Sequence, residues 1–264
     1  MFGCFVGLAC LNWVASFILV QMRLLFILSY VFISFSFEAI ANASDSFVVQ
    51  RILERYTETL GGPRSAAALS SLSIEGSQVQ DGTSYQFSMR KKRPNLIRYS
   101  LTVGEASISC GFNGRQGWQH TKVEEAVTLE DLSTDQLSAL RGEADFDSPL
   151  IRHLEKSWNQ ISLVGREQLG DTYVNVLEVK KFLRPFVRYY LNPSSGLILK
   201  RVQIHPDGTS GLETQYRDYR EIDGYQFAFK VENRIGDQLV SLVKIETIEV
   251  NPGLLSFYFE KPNN

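Results

Sequence analysis

The feature that most constrains this chain is an alternation of apolar and polar residues with period two, which recurs from residue 69 to residue 250. Such alternation is typical of strands that bury one face and expose the other. Tight-turn dipeptides separate the alternating segments, among them Asp81-Gly82, Asn113-Gly114 and Asp223-Gly224. Because turns this short join antiparallel strands, the sequence predicts an antiparallel sheet.

The early segments each place apolar residues on one face of a predicted strand. Their alternating residues are Tyr85, Phe87 and Met89, then Ile97, Tyr99 and Leu101, then Ala106, Ile108, Cys110 and Phe112. We expect the Cys110 thiol to be buried and inert on this apolar face. Later strands are predicted at 160–169, 173–180, 186–191, 197–205, 211–219, 226–233 and 239–250. About ten or eleven strands in up-and-down order predict a mainly β fold, a strongly curved antiparallel sheet or incomplete barrel.

Helical patterns interrupt the strands in two places. Ser46 can cap a helix over 47–60, whose apolar stripe of Val49, Leu53, Tyr56 and Leu60 is suited to packing on a sheet. Residues 122–159 break the strand rhythm and contain helical patterns at 134–141 and 150–156. We therefore expect the helix at 47–60 and the segment 130–157 to cover the concave side of the sheet.

The chain begins with two apolar stretches. Residues 22–44 have a basic start at Met22-Arg23, an apolar run, and the small-x-small site Ala41-Asn42-Ala43, which together are typical of a secretory signal peptide. We expect translation to start at Met22 and cleavage to follow Ala43, so that 1–43 is leader and 44–264 is one exported domain in the periplasm. A retained N-terminal anchor is the alternative interpretation.

The sequence contains no recognisable catalytic or cofactor-binding motif. The three histidines are scattered, and neither a nucleophile elbow nor a phosphate-binding loop occurs. The net charge of −2 gives no indication of nucleic-acid binding. Beyond the leader Cys110 is the single cysteine, so we expect no internal disulfide. We therefore predict a protein that is not an enzyme and holds no cofactor or metal.

Several motifs occur in a characteristic order along the chain. They are KRPNL at 92–96, FNGRQGW at 112–118, RYYLNPSSGL at 188–197, DYREIDGYQF at 218–227, IEVNP at 248–252 and FEKP at 259–262. In this order, behind a leader and a first helix, they resemble the periplasmic outer-membrane lipoprotein carriers and the wider lipoprotein-sorting superfamily, the LolA/LolB-like proteins. The later motifs match the wider superfamily better than the carrier itself.

That resemblance implies a half-open antiparallel barrel whose mouth is covered by helices and whose concave face holds an acyl chain. It implies a monomeric carrier that moves lipoprotein acyl chains or another hydrophobic ligand across the cell envelope, with an envelope membrane protein as a further partner. The alternative is a regulatory or interaction module that binds a lipid or polypeptide without carrying it. An enzyme on the same fold is a third class, since one fold hosts many functions.

The resemblance also points to individual residues. Arg93 aligns with the family arginine at the barrel rim, where a guanidinium can hold the lid shut by bridging several carbonyls; otherwise it is a solvated member of a basic run at 90–93. Tyr85, Phe87, Tyr99 and Trp118 are candidates to line the ligand face. The other interpretation of these aromatic residues is ordinary core packed against the helices.

Overall fold

A computed structural model describes residues 35–145, 150–151, 160–180 and 186–262. Within these ranges the chain forms one sheet of thirteen strands. The strands are β1 (Ser71–Gln80), β2 (Thr83–Lys92), β3 (Leu96–Val103), β4 (Ala106–Phe112), β5 (Gly117–Val123), β6 (Ala126–Asp131), β7 (Gln160–Leu169), β8 (Thr172–Lys180), β9 (Phe186–Leu191), β10 (Ile198–Ile204), β11 (Ser210–Ile222), β12 (Tyr225–Ile235) and β13 (Gln238–Val250). The predicted antiparallel curved sheet is confirmed.

The sheet is an open meander in which the first strand pairs with the last. Its spatial order is β6-β5-β4-β3-β2-β1-β13-β12-β11-β10-β9-β8-β7, and every pairing is antiparallel. The β1–β13 pairing runs from Leu72 opposite Val250 to Gln80 opposite Ser241. The two edges are therefore β6 and β7, which are consecutive in the chain and joined by residues 132–159.

The predicted strand count of about ten or eleven was too low, and β6 shows why. This strand lies in the segment 122–159, where the sequence predicted a break in strand rhythm. It is a short edge strand with nearly all of its side chains exposed. A strand that buries neither face carries no period-two signal, so alternation does not reveal it.

Helices α1 (Phe35–Glu58), α2 (Gly62–Ala68) and α3 (Thr134–Ala144), and a 3₁₀ helix at Ser256–Phe259, complete the described structure. Helix α1 begins well before the predicted start at 47, so Ser46 lies inside it rather than capping it. No proline or glycine between Phe35 and Ser46 would stop the helix earlier. Of the predicted helix at 150–156, Leu150 and Ile151 are helical, and residues 152–156 lie outside the described ranges. The leader residues 1–34 lie outside them too.

Helix α3 has a local sequence reason for its start. The Ser133 side chain accepts a hydrogen bond from the Gln136 amide at 3.4 Å, and the Gln136 side chain accepts one from the Ser133 amide at 3.0 Å. This reciprocal pair is a capping box, which satisfies amide groups that a helix start otherwise leaves open. The helix extends to Ala144, three residues beyond the predicted end at Arg141.

The main hydrophobic core lies on one face of the sheet, between the strands and the helices, and we call this the inner face. Helix α1 contributes the stripe that the sequence predicted, and α3 contributes Leu140 and Ala144. Buried strand residues of this core include Ile74, Phe87, Ile97, Phe112, Leu177, Leu191, Phe227 and Val243. Both helices thus cover the inner face, as predicted. A second buried cluster, around Val176 and Val202, lies on the outer face of β8 to β10.

The C-terminal end of α1 is fixed against the turn that joins β9 and β10. The Arg55 guanidinium donates to the Ser194 carbonyl at 2.8 Å. Gly196 has a positive φ of 75°, and a Cβ there would lie 2.5 Å from the Arg55 carbonyl oxygen. The backbone of this turn can approach the helix so closely only because residue 196 has no side chain.

Gly196→Ala should therefore lower the free energy of unfolding by more than about 2 kcal/mol, because it adds a backbone clash to the left-handed strain. Gly208→Ala is the matched control, since Gly208 also has a positive φ, of 84°, but a Cβ there meets no atom within 4 Å. The control should lose only about 1–2 kcal/mol. Chemical denaturation measures both values, and equal losses would contradict the close approach of α1 to this turn.

Candidate functional site

Three of the four aromatic residues proposed for the ligand face lie together on the inner face. Phe87 and Tyr99 are buried in the main core with ring centroids 5.4 Å apart, and Tyr85 is partly buried at its margin. The β-sheet register explains the grouping, because Phe87 lies opposite Leu101 and Tyr99 lies opposite Met89. Their contact with a ligand stays a prediction.

Trp118 lies on the opposite, outer face, which corrects its predicted grouping with the other three aromatics. Trp118 is paired with Gly111 on the neighbouring strand, and Gly111 is paired with Arg98 on the next. Paired residues lie on the same face of a sheet, so all three are on the outer face. The Trp118 ring occupies the space that a Cβ on Gly111 would need. Its indole Nε1 donates to the Phe259 carbonyl at 2.9 Å. Trp118 therefore anchors the C-terminal tail to the outer face.

Arg93 joins the end of β2 to the segment that connects α2 with β1. Its guanidinium donates to the Leu69 carbonyl at 2.7 Å and to the Ala66 carbonyl at 2.9 Å. Tyr225 donates to the Ser65 carbonyl at 2.7 Å beside it. Arg93 thus bridges two carbonyls in the described structure, and both belong to the end of α2 and not to α3. Its effect on ligand release stays a prediction.

Arg93→Gln should lower the free energy of unfolding by about 1.5–3 kcal/mol, because it leaves helix-end carbonyls without a charged donor. Arg90→Gln is the control, since Arg90 makes only a 3.4 Å contact with Glu75 on the surface among its described partners. Such exposed pairs contribute ~0–1 kcal/mol. Chemical denaturation measures the free energy of unfolding of both variants. An equally small loss of stability in both would show that Arg93 contributes no more than an ordinary surface arginine.

A row of polar side chains crosses the inner face at the strand ends farthest from the α1–α2 junction. We call Tyr99, Gln78, Gln80, Ser241, Asn233 and Thr214 the polar row. Its hydrogen bonds are Tyr99 to Gln78 (2.8 Å), Gln78 to Gln80 (3.0 Å), Thr214 to Asn233 (2.9 Å) and Asn233 to Ser241 (3.0 Å). Burial, assisted by Cys110 and opposed by the hydrogen bond to Gln78, raises the pKa of Tyr99. The inner face therefore combines a large apolar area with one hydrogen-bonded polar strip.

Charged side chains also lie under α3, where the apolar face meets the cover. Lys91 of β2 is only 6% exposed, and its Nζ donates to the Asp145 carbonyl at 3.2 Å. Arg201 of β10 lies directly opposite Thr214 of the polar row, and its Nη1 is 4.0 Å from Oε1 of Glu143 on α3. The side chains of Arg201 and Glu143 are 14% and 15% exposed. Helix α3 thus contacts cations from two distant strands.

The environment of Glu143 strongly favours its neutral form. Burial, opposed in part by Arg201 and Lys91 and assisted by Asp145, raises the pKa of Glu143 from 4.5 to about 8. Desolvation dominates because an ionised carboxylate loses more hydration here than its two cationic neighbours restore. A docked α3 therefore carries a proton that a solvated Glu143 would release near pH 4.5.

We expect the docking of α3 to weaken as the pH rises from about 5 to about 8. The docked form binds more protons than the undocked form in this window, so raising the pH favours undocking. The open population should rise at least about tenfold, the equivalent of one pKa unit. Hydrogen exchange of the α3 amides, corrected for intrinsic rates, measures it.

Glu143→Gln is the matched variant for this pH experiment, because a neutral amide has nothing to titrate. Its α3 protection should be flat with pH across the same window. The same pH slope in wild type and Glu143→Gln would assign the dependence to another group.

Sequence reasoning missed Lys91, Arg201, Glu143 and the polar row. One signal was available for Lys91, which shares the strand parity of Phe87 and Met89. Arg201 gave no such signal, because it alternates with Val202 and Ile204, which are buried on the outer face. A register shift between Ile198 and Lys200 also interrupts the alternation in β10, so a residue's odd or even position does not show which face of the sheet it lies on.

We also searched the described residues for a metal site and for a membrane-spanning helix. There, no group of three or more histidine, cysteine or acidic side chains is placed to hold a metal ion. The described helices include none with the length and apolar character needed to cross a membrane. The Cys110 thiol is partly buried rather than fully buried as predicted, and it donates to the Gln119 amide oxygen at 3.7 Å.

Solved structures of known proteins share this architecture. A LolA superfamily protein from Nitrosomonas europaea aligns with 16% identity and a TM-score of 0.56, over 81% of this chain and 97% of the other. A putative outer membrane lipoprotein-sorting protein domain from Vibrio parahaemolyticus aligns with 11% identity and a TM-score of 0.57, over 81% and 97%. A DUF1329 family protein from Desulfovibrio piger aligns with 12% identity and a TM-score of 0.53, over 80% and 97%.

Comparison at the level of sequence gives no match, either to a protein-family model or to a curated protein. The similarity therefore lies in the fold, and it extends over nearly the whole length of the three structures. This confirms what the ordered motifs predicted: the chain has the fold of the LolA superfamily and of lipoprotein-sorting domains.

Proposed function

We propose that this protein is an exported, non-catalytic envelope protein that binds an acyl chain or another hydrophobic ligand on its inner face. The observation that carries the proposal is that the apolar inner face is covered by helices rather than by a second sheet. Because α3 packs on β3 and β4 and takes no part in the sheet, it can move without breaking the pairing of any strand. The lipoprotein-sorting name of one structural neighbour gives the proposed cargo, a lipoprotein acyl chain, and the periplasm is the proposed location.

The energies of cover and cargo are of comparable size. Fully burying one large apolar side chain contributes ~1.5–3 kcal/mol, so the few such side chains of α3 contribute several kcal/mol. Burying an acyl chain of about 14 methylenes gains on the order of 10 kcal/mol gross, at ~0.8 kcal/mol each. A ligand can therefore displace α3 with a modest net gain, which suits a protein that must later release its cargo.

An interaction module that binds a polypeptide is the second candidate. It is favoured by three exposed apolar side chains near the C-terminus, Leu255, Phe257 and Tyr258, with the last two rings stacked 4.6 Å apart. They belong to the C-terminal tail that Trp118 anchors to the outer face. Exposed apolar clusters of this kind are common at protein interfaces.

Native mass spectrometry of the protein purified from its own cell envelope tests the proposal directly. The carrier function predicts co-purifying acyl species with a stoichiometry near one per chain. An empty protein that instead retains one protein partner would favour the interaction module. Turnover of a bound species that is abolished by changing one polar inner-face residue would contradict the non-catalytic assignment.

Displacement of α3 can be measured with a neutral acyl probe, monopalmitoylglycerol. Binding should raise the hydrogen exchange of α3 while leaving β1 and β13 protected. Gly117→Val should strengthen binding at least about threefold, because a side chain there displaces the Leu132 and Leu137 side chains that seat the α3 segment and so favours its undocking. Val127→Ala, on the exposed edge strand β6, is the control and should leave affinity unchanged. Probe binding with unaltered α3 exchange would place the ligand elsewhere.

A further inference from the structure

The charged side chains that α3 shields from solvent are divided between the sheet and the cover; Arg141 of α3, which stacks on Phe112, is exposed and is not among them. Both cations, Lys91 and Arg201, belong to strands of the sheet, whereas both carboxyl groups, Glu143 and Asp145, belong to α3 or its last turn. When α3 is docked, Lys91 donates to the Asp145 backbone carbonyl, and the Arg201 guanidinium lies 4.0 Å from the Glu143 carboxyl group. When α3 moves away, the carboxyl groups leave with it and the cations stay on the wall.

The two cations are unusual residues for an apolar wall. Lys91 lies directly between Leu72 of β1 and Ile97 of β3, both of which are buried. Arg201 lies between Tyr189 of β9 and Thr214 of β11. Burying a cation is costly unless an anion or hydrogen-bond acceptors accompany it. If a hydrophobic ligand replaced α3 without supplying an anion, both cations would be buried without the α3 groups that contact them in the docked form.

We propose that the inner face binds an amphiphile whose anionic group lies between Lys91 and Arg201, in place of the Glu143 carboxyl of α3. The apolar part of the amphiphile then occupies the area that the cover helix vacates. The polar row continues the site, because Thr214 is the cross-strand neighbour of Arg201 and is hydrogen-bonded to Asn233. The inference rests on the proposed function and specifies the class of its ligand.

A phosphate ester fits this site better than a carboxylic acid. The Glu143 carboxyl is held neutral here, with its pKa raised to about 8, so near pH 7 it pairs poorly with its cations. A phosphate ester stays ionised at that pH and offers several oxygens, two of which can accept hydrogen bonds from one guanidinium in a bidentate pair. Such a ligand therefore competes with Glu143 through charge as well as through its acyl chain.

The test compares two lipids that share one acyl chain. Palmitoyl lysophosphatidic acid and monopalmitoylglycerol differ only in the phosphate, and titration calorimetry with the full exported chain measures both affinities. Wild type should bind the phosphate lipid about 10- to 100-fold more tightly, the range for charge-assisted hydrogen bonds. The preference should fall below about threefold in Arg201→Gln, and it should fall in Lys91→Gln as well.

Lys200→Gln is the matched control. Lys200 is the next residue of β10 but lies on the outer face, where its Nζ is 3.5 Å from Glu213 and 4.2 Å from the Tyr190 ring centroid. This variant should keep the full preference. Lys91→Gln, on a different strand, keeps the test decisive if Arg201→Gln fails to fold.

The outcomes separate this inference from the proposed function. Equal binding of the two lipids by wild type, or a preference that survives Lys91→Gln and Arg201→Gln, overturns the anionic site while the hydrophobic-ligand function stands. Failure of both lipids to bind overturns both. Glycerol 3-phosphate is the third probe, and binding of this headgroup alone as tightly as the lipid would make the site one for a soluble phosphate ester, which overturns the amphiphile.

Discussion

The pairing of β1 with β13 is the constraint on which the rest of this structure depends. It joins the two ends of the domain into one continuous sheet and leaves β6 and β7 as the edges. Since β6 and β7 are consecutive in the chain, their connection must cross the opening of the sheet. The cover helix α3 therefore lies at the opening as a consequence of topology, and its contacts need only adjust how firmly it is held there.

The inner face carries two kinds of surface, and each has its own partner in the closed molecule. Apolar strand residues are buried by the stripe of α1 and by Leu140 and Ala144 of α3. The cations Lys91 and Arg201 are met by groups at the end of α3. An acyl ligand alone would substitute for the first partner, whereas an amphiphile with an anionic group would substitute for both. This pairing of surfaces links the cover to the chemistry of the proposed ligand.

The period-two pattern predicted the strands that bury one face only. It did not predict residue positions in strands such as β10, which has apolar residues on both faces. The inward residues Phe87, Tyr99 and Phe112 were predicted because their neighbours are polar. Trp118 was misplaced because an aromatic residue was assigned to the ligand face without its register, and its pairing with Gly111 puts it outside. Arg201 could not be found, since β10 has apolar residues on both faces and a register shift in between.

The attachments of the two covering helices indicate which one can open. The end of α1 is held through backbone and arginine bonds, with Gln226 donating to the Thr59 carbonyl at 2.8 Å and Arg55 to the turn before β10. Leu132, just before α3, donates its amide to the Gly117 carbonyl of β5 at 3.1 Å, whereas within the helix the described contacts with the sheet are made by side chains, including Arg141 stacked 5.4 Å from the Phe112 ring centroid. Raising the pH weakens the docking of α3, because Glu143 is protonated in the docked form, but it leaves the backbone bond that holds α1 unchanged. Opening at α3 therefore leaves α1 and the strand register in place, and it exposes the wall that carries both cations.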